Sequence, residues 1–280
     1  RPVARPRLLV KSEFSNELLA EATVSTVLDA RPVNRTLNII GREHIDLNSS
    51  AAYRCFNNVA LGLKPLSELI ARDIRQDSDV VGLDETNVKL VLAGDERAVM
   101  RGVLIMCRNE TRFGGHRPPA VHFVAPSRKD AASIAAFFEG LDPNARVIHD
   151  GNPAHNAALE HHVDAHCWAH ARRPIFEACE SRKSPGSRLL LDQINALFDV
   201  EKAAWGLNPD LRASIRQERA LPITLRIREI VSEQLAEASQ SGDYANALTY
   251  IDKRWDTLTR YVHDGHLEID LRRVTGTADA

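Results

Sequence analysis

The sequence predicts a mixed α/β domain that follows a helical segment and precedes a large helical block. Three observations support this fold class. Runs rich in β-forming residues begin near Val80, candidate strands and helices alternate from there to Cys167, and the pattern is almost wholly helical from Trp168 to Tyr261. The order of three strands, a helix, a strand, a helix and a strand is typical of a sheet that begins as a meander and continues through helical crossovers.

Residues 1–77 form the predicted helical N-terminal segment. The run Ser15-Asn16-Glu17 can open a first helix, because short polar side chains accept hydrogen bonds from the free N–H groups of a first turn. Ser49-Ser50 can cap a second, longer helix whose apolar residues recur at helical spacing.

Residues 78–186 form the predicted α/β region. Its candidate strands are residues 80–92, 99–107, 120–124, 145–150 and 163–167. A helix is predicted to start at Ser127 and to end before Gly140 and Pro143, and another helix follows Gly151.

The rest of the chain divides into a predicted helical insertion, residues 187–262, and a short polar end, residues 263–280, that looks cut short. Pro185-Gly186 breaks one predicted helix. Leu207-Asn208-Pro209 and Leu221-Pro222 are expected to mark further turns.

The start of the chain indicates an internal portion of a longer product. The first residue is Arg1, and the methionines are Met100 and Met106.

Composition restricts the class of protein. With 44% apolar residues the chain can bury a sizeable core, and no run approaches the ~20 apolar residues that span a bilayer. The four cysteines are scattered and form no CxxC pair, which favours a reducing cytosol, so we expect a cytoplasmic protein with no membrane partner. The net charge of −2 gives DNA binding no support.

Local charge is more positive between His166 and Arg188. Five bases against Glu177 and Glu180 leave a local charge of +3. The bases are Arg172, Arg173, Arg182, Lys183 and Arg188. A solvated helix face and a DNA-facing patch explain this run equally well on charge alone.

Two aspartates are candidates for chemistry. Asp84 lies inside an apolar strand pattern, where a carboxylate is costly unless it is paired, binds a metal or faces water. Asp150 ends a strand just before Gly151, which is where α/β sheets place ligands, although an Asp-Gly pair is more often an ordinary turn. If the first and fourth strands pair, the two carboxylates are neighbours and can hold Mg²⁺ through hard oxygen ligands. Two such ions can catalyse phosphodiester transfer.

Cys167 and His170 have the CxxH spacing of two zinc ligands. A closed zinc site needs four ligands, and no CxxC or HxxxH partner follows, so zinc is not expected. We expect instead a cysteine buried at a strand-to-helix junction, with the histidine packed nearby. Three other histidines, His161, His162 and His166, stand close in sequence and leave the zinc alternative open.

Motifs for several other activities are missing from the sequence. The patterns GxGxxG, GxxxxGK[ST], GxSxG and HExxH do not occur. Hydride transfer, nucleotide hydrolysis and serine hydrolysis therefore have no visible machinery.

Several runs occur in the order seen in one family of bacterial transposases. These runs are Leu83-Asp84-Glu85-Thr86, His149-Asp150-Gly151, Cys167-Trp168-Ala169-His170-Ala171-Arg172-Arg173, and Arg254-Trp255 through Leu267-Glu268-Ile269-Asp270. Over residues 5–273 the chain resembles transposases of the insertion-sequence sixty-six family. The Cys-to-Arg run is the most specific of these matches.

The resemblance implies a DDE transposase, an enzyme that cuts and joins DNA at the ends of a mobile element on a ribonuclease-H-like core. It implies Asp84 and Asp150 as the first two acids of a triad that binds two Mg²⁺ or Mn²⁺ ions. The implied partners are DNA and further copies of the chain in a homo-oligomer.

The chain departs from the family at the third acid. The family has a glutamate five residues after the aspartate matched by Asp270, following two asparagines, whereas here the fifth position is Thr275. A deletion and a frameshift both explain this difference, and either predicts a catalytic defect. Asp264, Glu268 or Asp270 could substitute only after a rearrangement.

Two other functions stay open from the sequence. One is a non-catalytic DNA-binding or dimerising remnant of a transposase. The other is a stand-alone ribonuclease-H-like nuclease, which fits the fold but not the helical block or the Cys-to-Arg run.

Overall fold

The computed structural model describes residues 9, 12, 14–45, 47–91, 98–126, 131–156, 158–181, 186–237 and 242–271. The chain divides into two compact units, Arg1–Leu69 and Ile70–Ala280. The division falls within the long third helix and not at its end.

The first unit is helical. Its elements are α1 (Asn16–Val27), α2 (Val33–Gly41) and the first part of α3 (Ser49–Asp77). Ser15 caps α1 as predicted, because its side chain accepts a hydrogen bond from the Leu18 N–H. The cap of α3 is Asn48, one residue before the predicted serines, and its Oδ1 accepts from the Ala51 N–H. Helix α2 has no counterpart in the sequence interpretation.

The second unit contains a five-stranded mixed sheet. Its strands are β1 (Val80–Val91), β2 (Ala98–Arg108), β3 (Ala120–Val124), β4 (Arg146–His149) and β5 (Val163–His166). Their spatial order is β3-β2-β1-β4-β5. The pairs β1–β2 and β2–β3 are antiparallel, and β1–β4 and β4–β5 are parallel. The predicted meander and the two strands that follow it through helices are therefore confirmed.

Strand alternation separates the two faces of the sheet. One face buries Val81, Leu83 and Val147 against the end of α3 and against α4 (Ala131–Phe138). The predicted start of α4 at Ser127 lies outside the described residues. The other face carries Val80 and Ile148, which pack with Cys167 and Leu271.

Helices dominate the chain after β5. The elements that follow α5 (Pro153–Asn156) and β5 are α6 (Trp168–Glu180), α7 (Ser187–Ala203), α8 (Pro209–Ile215), a π-helical turn (Arg216–Ala220), α9 (Leu221–Glu237), α10 (Asp243–Lys253) and α11 (Trp255–Thr259). They share one apolar core around Trp168, Ile194 and Leu248, which confirms the predicted helical character. We refer to α7–α11 as the helical block.

One predicted turn is wrong. Leu221-Pro222 does not end a helix, because α9 begins at Leu221 directly after the π-helical turn. Proline lacks the N–H that an α-helix needs in its interior but is tolerated in a first turn. The wider π-helical turn before it lets the chain continue without a break.

No described helix has both the length and the apolar character that crossing a membrane requires.

Candidate active site

The parallel pairing of β1 with β4 brings Asp84 and Asp150 to corresponding positions. Gly82 of β1 pairs with Ile148 of β4, and each aspartate stands two residues further along its strand direction. Residues two apart point to the same face of a strand, so Asp84 belongs to the face that carries Ile148, whereas Asp150 lies one residue beyond the end of β4 and its Oδ1 is 3.8 Å from Nδ1 of His155. The sequence analysis named this pairing of the first and fourth strands as the condition for the two carboxylates to be neighbours.

Asp84 is a half-buried carboxylate inside β1. Its Oδ1 accepts a hydrogen bond of 2.8 Å from the Glu85 N–H. The same oxygen lies 3.9 Å from Nε2 of His170, which stands in the first turn of α6. The contact with His170 was not predicted, although both residues belong to runs that the sequence singled out.

Asp150 stands one residue beyond the end of β4. Its Oδ1 accepts a 2.9 Å hydrogen bond from the Asn152 N–H, as in the turn that the Asp-Gly pair predicts. Gly151 has φ +77°, which is the left-handed region that glycine adopts without strain. The turn therefore fixes the backbone position from which the Asp150 side chain extends.

Within the described ranges, no lysine or arginine forms an ion pair with Asp84 or Asp150. Both side chains are partly open to solvent, with exposed fractions of 27% and 26%. Half-buried carboxylates without a cationic partner have the chemistry of ligands for a hard divalent cation.

Cys167 and His170 contact different residues. Cys167 is fully buried, and its Sγ accepts a hydrogen bond from the Leu271 N–H. Burial, and then the nearby carboxylate of Asp270, raises the pKa of this thiol to about 12, so it stays a neutral thiol at physiological pH. The predicted buried cysteine at a strand-to-helix junction is confirmed, since Cys167 lies between β5 and α6.

Two of the three carboxylates considered as substitutes for the third acid form ion pairs elsewhere, and the third is buried. Glu268 is buried and accepts a 3.1 Å hydrogen bond from Arg212. Asp264 forms an ion pair with Arg146. Asp270 is buried next to Cys167, and the following residue, Leu271, packs with Val80 and Ile148 on the face of the sheet that carries Asp84.

Only part of the predicted basic patch lies in the described residues. Arg173 is exposed on α6. Arg172 is half-buried, donates a 2.7 Å hydrogen bond to Oδ1 of Asn195 and stacks on Phe176. Arg182 and Lys183 lie outside the described residues.

A buried histidine cluster next to the site was not predicted. His149 is fully buried, and its Nδ1 accepts a 3.1 Å hydrogen bond from the Gly151 N–H. The neutral ring therefore carries its proton on Nε2, which lies 3.6 Å from Oδ2 of Asp164. His166 lies on the neighbouring strand, with its ring centroid 4.7 Å from that of His149.

Ligand atoms of these residues are close enough to suggest a metal. The groups His149, Asp150, His155 and His149, Asp164, His166 each have ligand atoms within 4.8 Å of one another. In both groups the Nδ1 lone pair of His149 is already occupied by the Gly151 N–H, which favours a hydrogen-bond network over a metal site. The only signal in the sequence was the density of histidines between His149 and His170.

The cluster predicts a pH-dependent stability. Burial and the neighbouring His149 lower the pKa of His166 to about 4, below the value of about 6.5 in an unfolded chain. The unfolded state therefore takes up this proton first as the pH falls, and stability is lost between about pH 6.5 and 4. We expect His166→Asn to reduce the loss of unfolding free energy between pH 7 and 4.5 by about 2 kcal/mol.

Urea unfolding of both proteins at the two pH values measures this difference. The other titrating groups are common to both proteins and cancel in the comparison. An equal pH dependence in the variant and the parent chain would contradict the prediction.

Comparison with known proteins gives a consistent match. The model of the family described as "Transposase IS66 family" matches residues 11–273. The chain is similar to the uncharacterized protein y4qI of Sinorhizobium fredii, with 25% identity over 275 residues, which cover 95% of this chain and 50% of the relative. It is also similar to the uncharacterized protein y4hP of the same organism, with 25% identity over 84% of this chain and 45% of the relative.

Two conclusions follow from the share of each sequence that these matches cover. The chain spans about half the length of the curated relatives that it matches. Since the family model covers nearly the whole chain, the protein belongs to the IS66 family of transposases.

Proposed function

We propose that the chain carries the catalytic core of a DDE transposase, which cuts and joins DNA at the ends of a mobile element. The observation that supports the proposal is the parallel register of β1 and β4, in which Gly82 pairs with Ile148, two residues before Asp84 and Asp150 respectively. Membership of the transposase family supports the same reaction class.

In this proposal Asp84 and Asp150 are the first two acids and hold a divalent cation, Mg²⁺ or Mn²⁺. Oδ1 of each carboxylate accepts a backbone N–H, and among the described residues no donor occupies Oδ2 of either. One oxygen of each side chain is thus oriented by the protein while the other is available to a cation. A bound ion would supply activation of the attacking hydroxyl and stabilisation of the leaving oxygen in phosphodiester transfer.

The chain's own residues prepare the site. The histidine at position 170 lies within 3.9 Å of Asp84 and restricts that carboxylate from the α6 side. Leu271 packs with Val80 and Ile148, so the end of the described chain lies on the face of the sheet that carries Asp84, where a third carboxylate would have to lie. Because Asp264 and Glu268 are held in ion pairs and Asp270 is buried, we propose that the chain is catalytically defective without the family's glutamate.

The proposal also assigns a role to each segment of the chain. Residues 78–186 form the ribonuclease-H-like core, residues 187–262 the helical insertion and residues 263–280 the end of the core, after the helical segment 1–77. Arg172, Arg173, Arg182 and Lys183 contact DNA phosphates in this scheme, and the exposed side chain of Arg173 supports it.

The test restores the missing acid. In one form of the chain an Asn-Asn-x-x-Glu segment is inserted after Asp270, and nicking of a supercoiled plasmid is measured with Mn²⁺. We expect nicking from the repaired chain and a loss of at least about 100-fold in Asp84→Asn and in Asp150→Asn, since each removes a charged ligand. Asp192→Asn, which changes an exposed carboxylate on α7, serves as the control.

Two results would contradict the proposal. Nicking that survives both substitutions would show that other residues cut the DNA. A repaired, folded chain with no nicking that depends on these two acids would show that their roles are wrongly assigned. Metal-independent DNA binding that weakens steeply with salt, in the absence of any nicking, would favour the alternative of a non-catalytic remnant.

A further inference from the structure

We propose that Tyr250 and Arg254 of the helical block are positioning residues for Asp150. The inference rests on the proposed function, because it concerns how the second acid is held in place to receive a cation. It gives the helical block a role in the site that neither its sequence nor its family assigns.

The sheet by itself does not hold Asp150. The last pair between β1 and β4 is Gly82 with Ile148, and the last pair between β4 and β5 is His149 with His166. Asp150 therefore stands beyond both ladders of backbone hydrogen bonds. Its direction depends on what holds the turn that it begins.

Tyr250 holds the first backbone group of this turn. Its hydroxyl donates a 2.5 Å hydrogen bond to the carbonyl oxygen of Asp150, across 100 positions of sequence.

Arg254 holds the next carbonyl. Its Nη2 donates a 3.0 Å hydrogen bond to the Gly151 oxygen, and its guanidinium lies 4.2 Å from the centre of the Tyr250 ring. The close approach depends on glycine, because a Cβ at position 151 would lie only 2.7 Å from Nε of Arg254. The two side chains of the helical block thus form a stacked pair that grips two consecutive carbonyl groups.

The third contact comes from the sheet. The Gly151 N–H donates to Nδ1 of His149 at 3.1 Å. The backbone of the turn is therefore held at the Asp150 carbonyl and at both polar groups of Gly151. With these atoms fixed, the Asp150 side chain can turn only about its own χ angles, which reduces the conformational freedom lost on binding a cation.

A purely structural role for the same contacts predicts a different result. If Tyr250 and Arg254 only attach the helical block to the sheet, their removal lowers stability and leaves cation affinity unchanged. Partners that hydrogen-bond to a ligand residue typically contribute 10–100-fold to metal affinity. Affinity for the cation separates the two roles.

The experiment measures Mn²⁺ binding to the chain as it exists, from the electron paramagnetic resonance signal of free Mn²⁺, with melting temperatures measured in parallel. We expect Tyr250→Phe to weaken binding by about tenfold, because it deletes one hydroxyl and no charge. We expect Arg254→Gln to weaken binding as well, even though losing a positive charge near the site would by itself favour a cation. Arg254→Lys should recover part of the affinity, since lysine keeps a donor and the charge.

Matched controls lie in the same part of the helical block. Tyr244→Phe removes a hydroxyl from the same helix, α10, where the partner is Gln234. Arg228→Gln removes a guanidinium that lies over Trp255 and pairs with Asp252. Neither side chain contacts the turn, so both variants should bind Mn²⁺ like the parent chain.

The outcomes separate this inference from the proposed function. If Asp150→Asn abolishes Mn²⁺ binding while Tyr250→Phe and Arg254→Gln leave it unchanged, the positioning role is overturned and the metal site stands. Equal weakening in the control variants also overturns the positioning role. If Asp150→Asn itself leaves the affinity unchanged, the proposed metal site fails.

Discussion

Replacing Arg216 with alanine is expected to lower the free energy of unfolding by about 3–5 kcal/mol. Arg216 is fully buried, and its Nε and Nη2 donate two 2.7 Å hydrogen bonds to the carboxylate of Glu201, which is 6% exposed. Its Nη1 donates to the carbonyl oxygens of Tyr261 and Asp264. Removing the guanidinium leaves a buried carboxylate and two carbonyl groups without these hydrogen bonds.

A neighbouring arginine cannot take over this role. Arg212 lies 3.6 Å from Glu201, but it already pairs with Glu268 and donates to the Gly265 carbonyl. The four charged side chains thus join α7, α8 and the π-helical turn to the segment that follows α11. In a unit of this size the loss corresponds to a fall in melting temperature of about 10 °C.

A matched exposed pair provides the control for Arg216→Ala. Nη1 of Arg226 lies 2.7 Å from Glu229, the same distance as in the buried pair, but the two side chains are 46% and 61% exposed. Arg226→Ala should leave stability almost unchanged, because water screens exposed ion pairs. Thermal and urea unfolding of both variants measure the contrast, and equal losses would disprove the claim that burial sets the cost.

Trp168→Ala is expected to lower the free energy of unfolding by about 3–5 kcal/mol as well. Trp168 is fully buried at the start of α6, where it belongs to the core shared with the helical block. Its Nε1 donates a 2.7 Å hydrogen bond to the Leu258 carbonyl, and its ring meets Trp255 edge-on. Alanine leaves a cavity that surrounding helices can fill only by moving.

Two further variants separate the contribution of the Trp168 hydrogen bond from that of its apolar packing. Trp168→Phe keeps most of the apolar contact and leaves the Leu258 carbonyl without its donor, at a cost of about 1–3 kcal/mol. Leu225→Ala removes a side chain that is 57% exposed on α9 and should change stability by no more than about 0.5 kcal/mol. Denaturant unfolding that gives the same value for Trp168→Ala and Leu225→Ala would contradict the packing argument.

Local patterns were sufficient to predict the sheet. The β1 run around Leu83 and the β4 run around Val147 alternate or cluster apolar residues over a few positions, and the chain order of strands and helices restricted how they could pair. Helix starts were predicted to within one residue at Ser15 and Asn48 for the same reason, because caps are local hydrogen bonds.

The predictions that failed concern features that local sequence patterns do not encode. Leu221-Pro222 reads as a turn, yet packing of the helical block carries the chain through it with a π-helical turn. His170 was expected to pack near Cys167, three residues away, and its contact with Asp84, on a strand 86 positions earlier, was not predicted. Such contacts depend on how α6 lies over the sheet.

The amino-acid sequence alone determined the order of the five strands, the two strands that carry the candidate acids and the resemblance to a transposase family. These conclusions follow from short periodicities and from motifs in a fixed order. The tertiary structure alone decided that Tyr250 and Arg254 meet the Asp150 turn, 100 and 103 positions away in the chain. Contacts over such separations form only when the apolar faces of the helical block and the sheet have packed, and this packing places the polar side chains that hold the site.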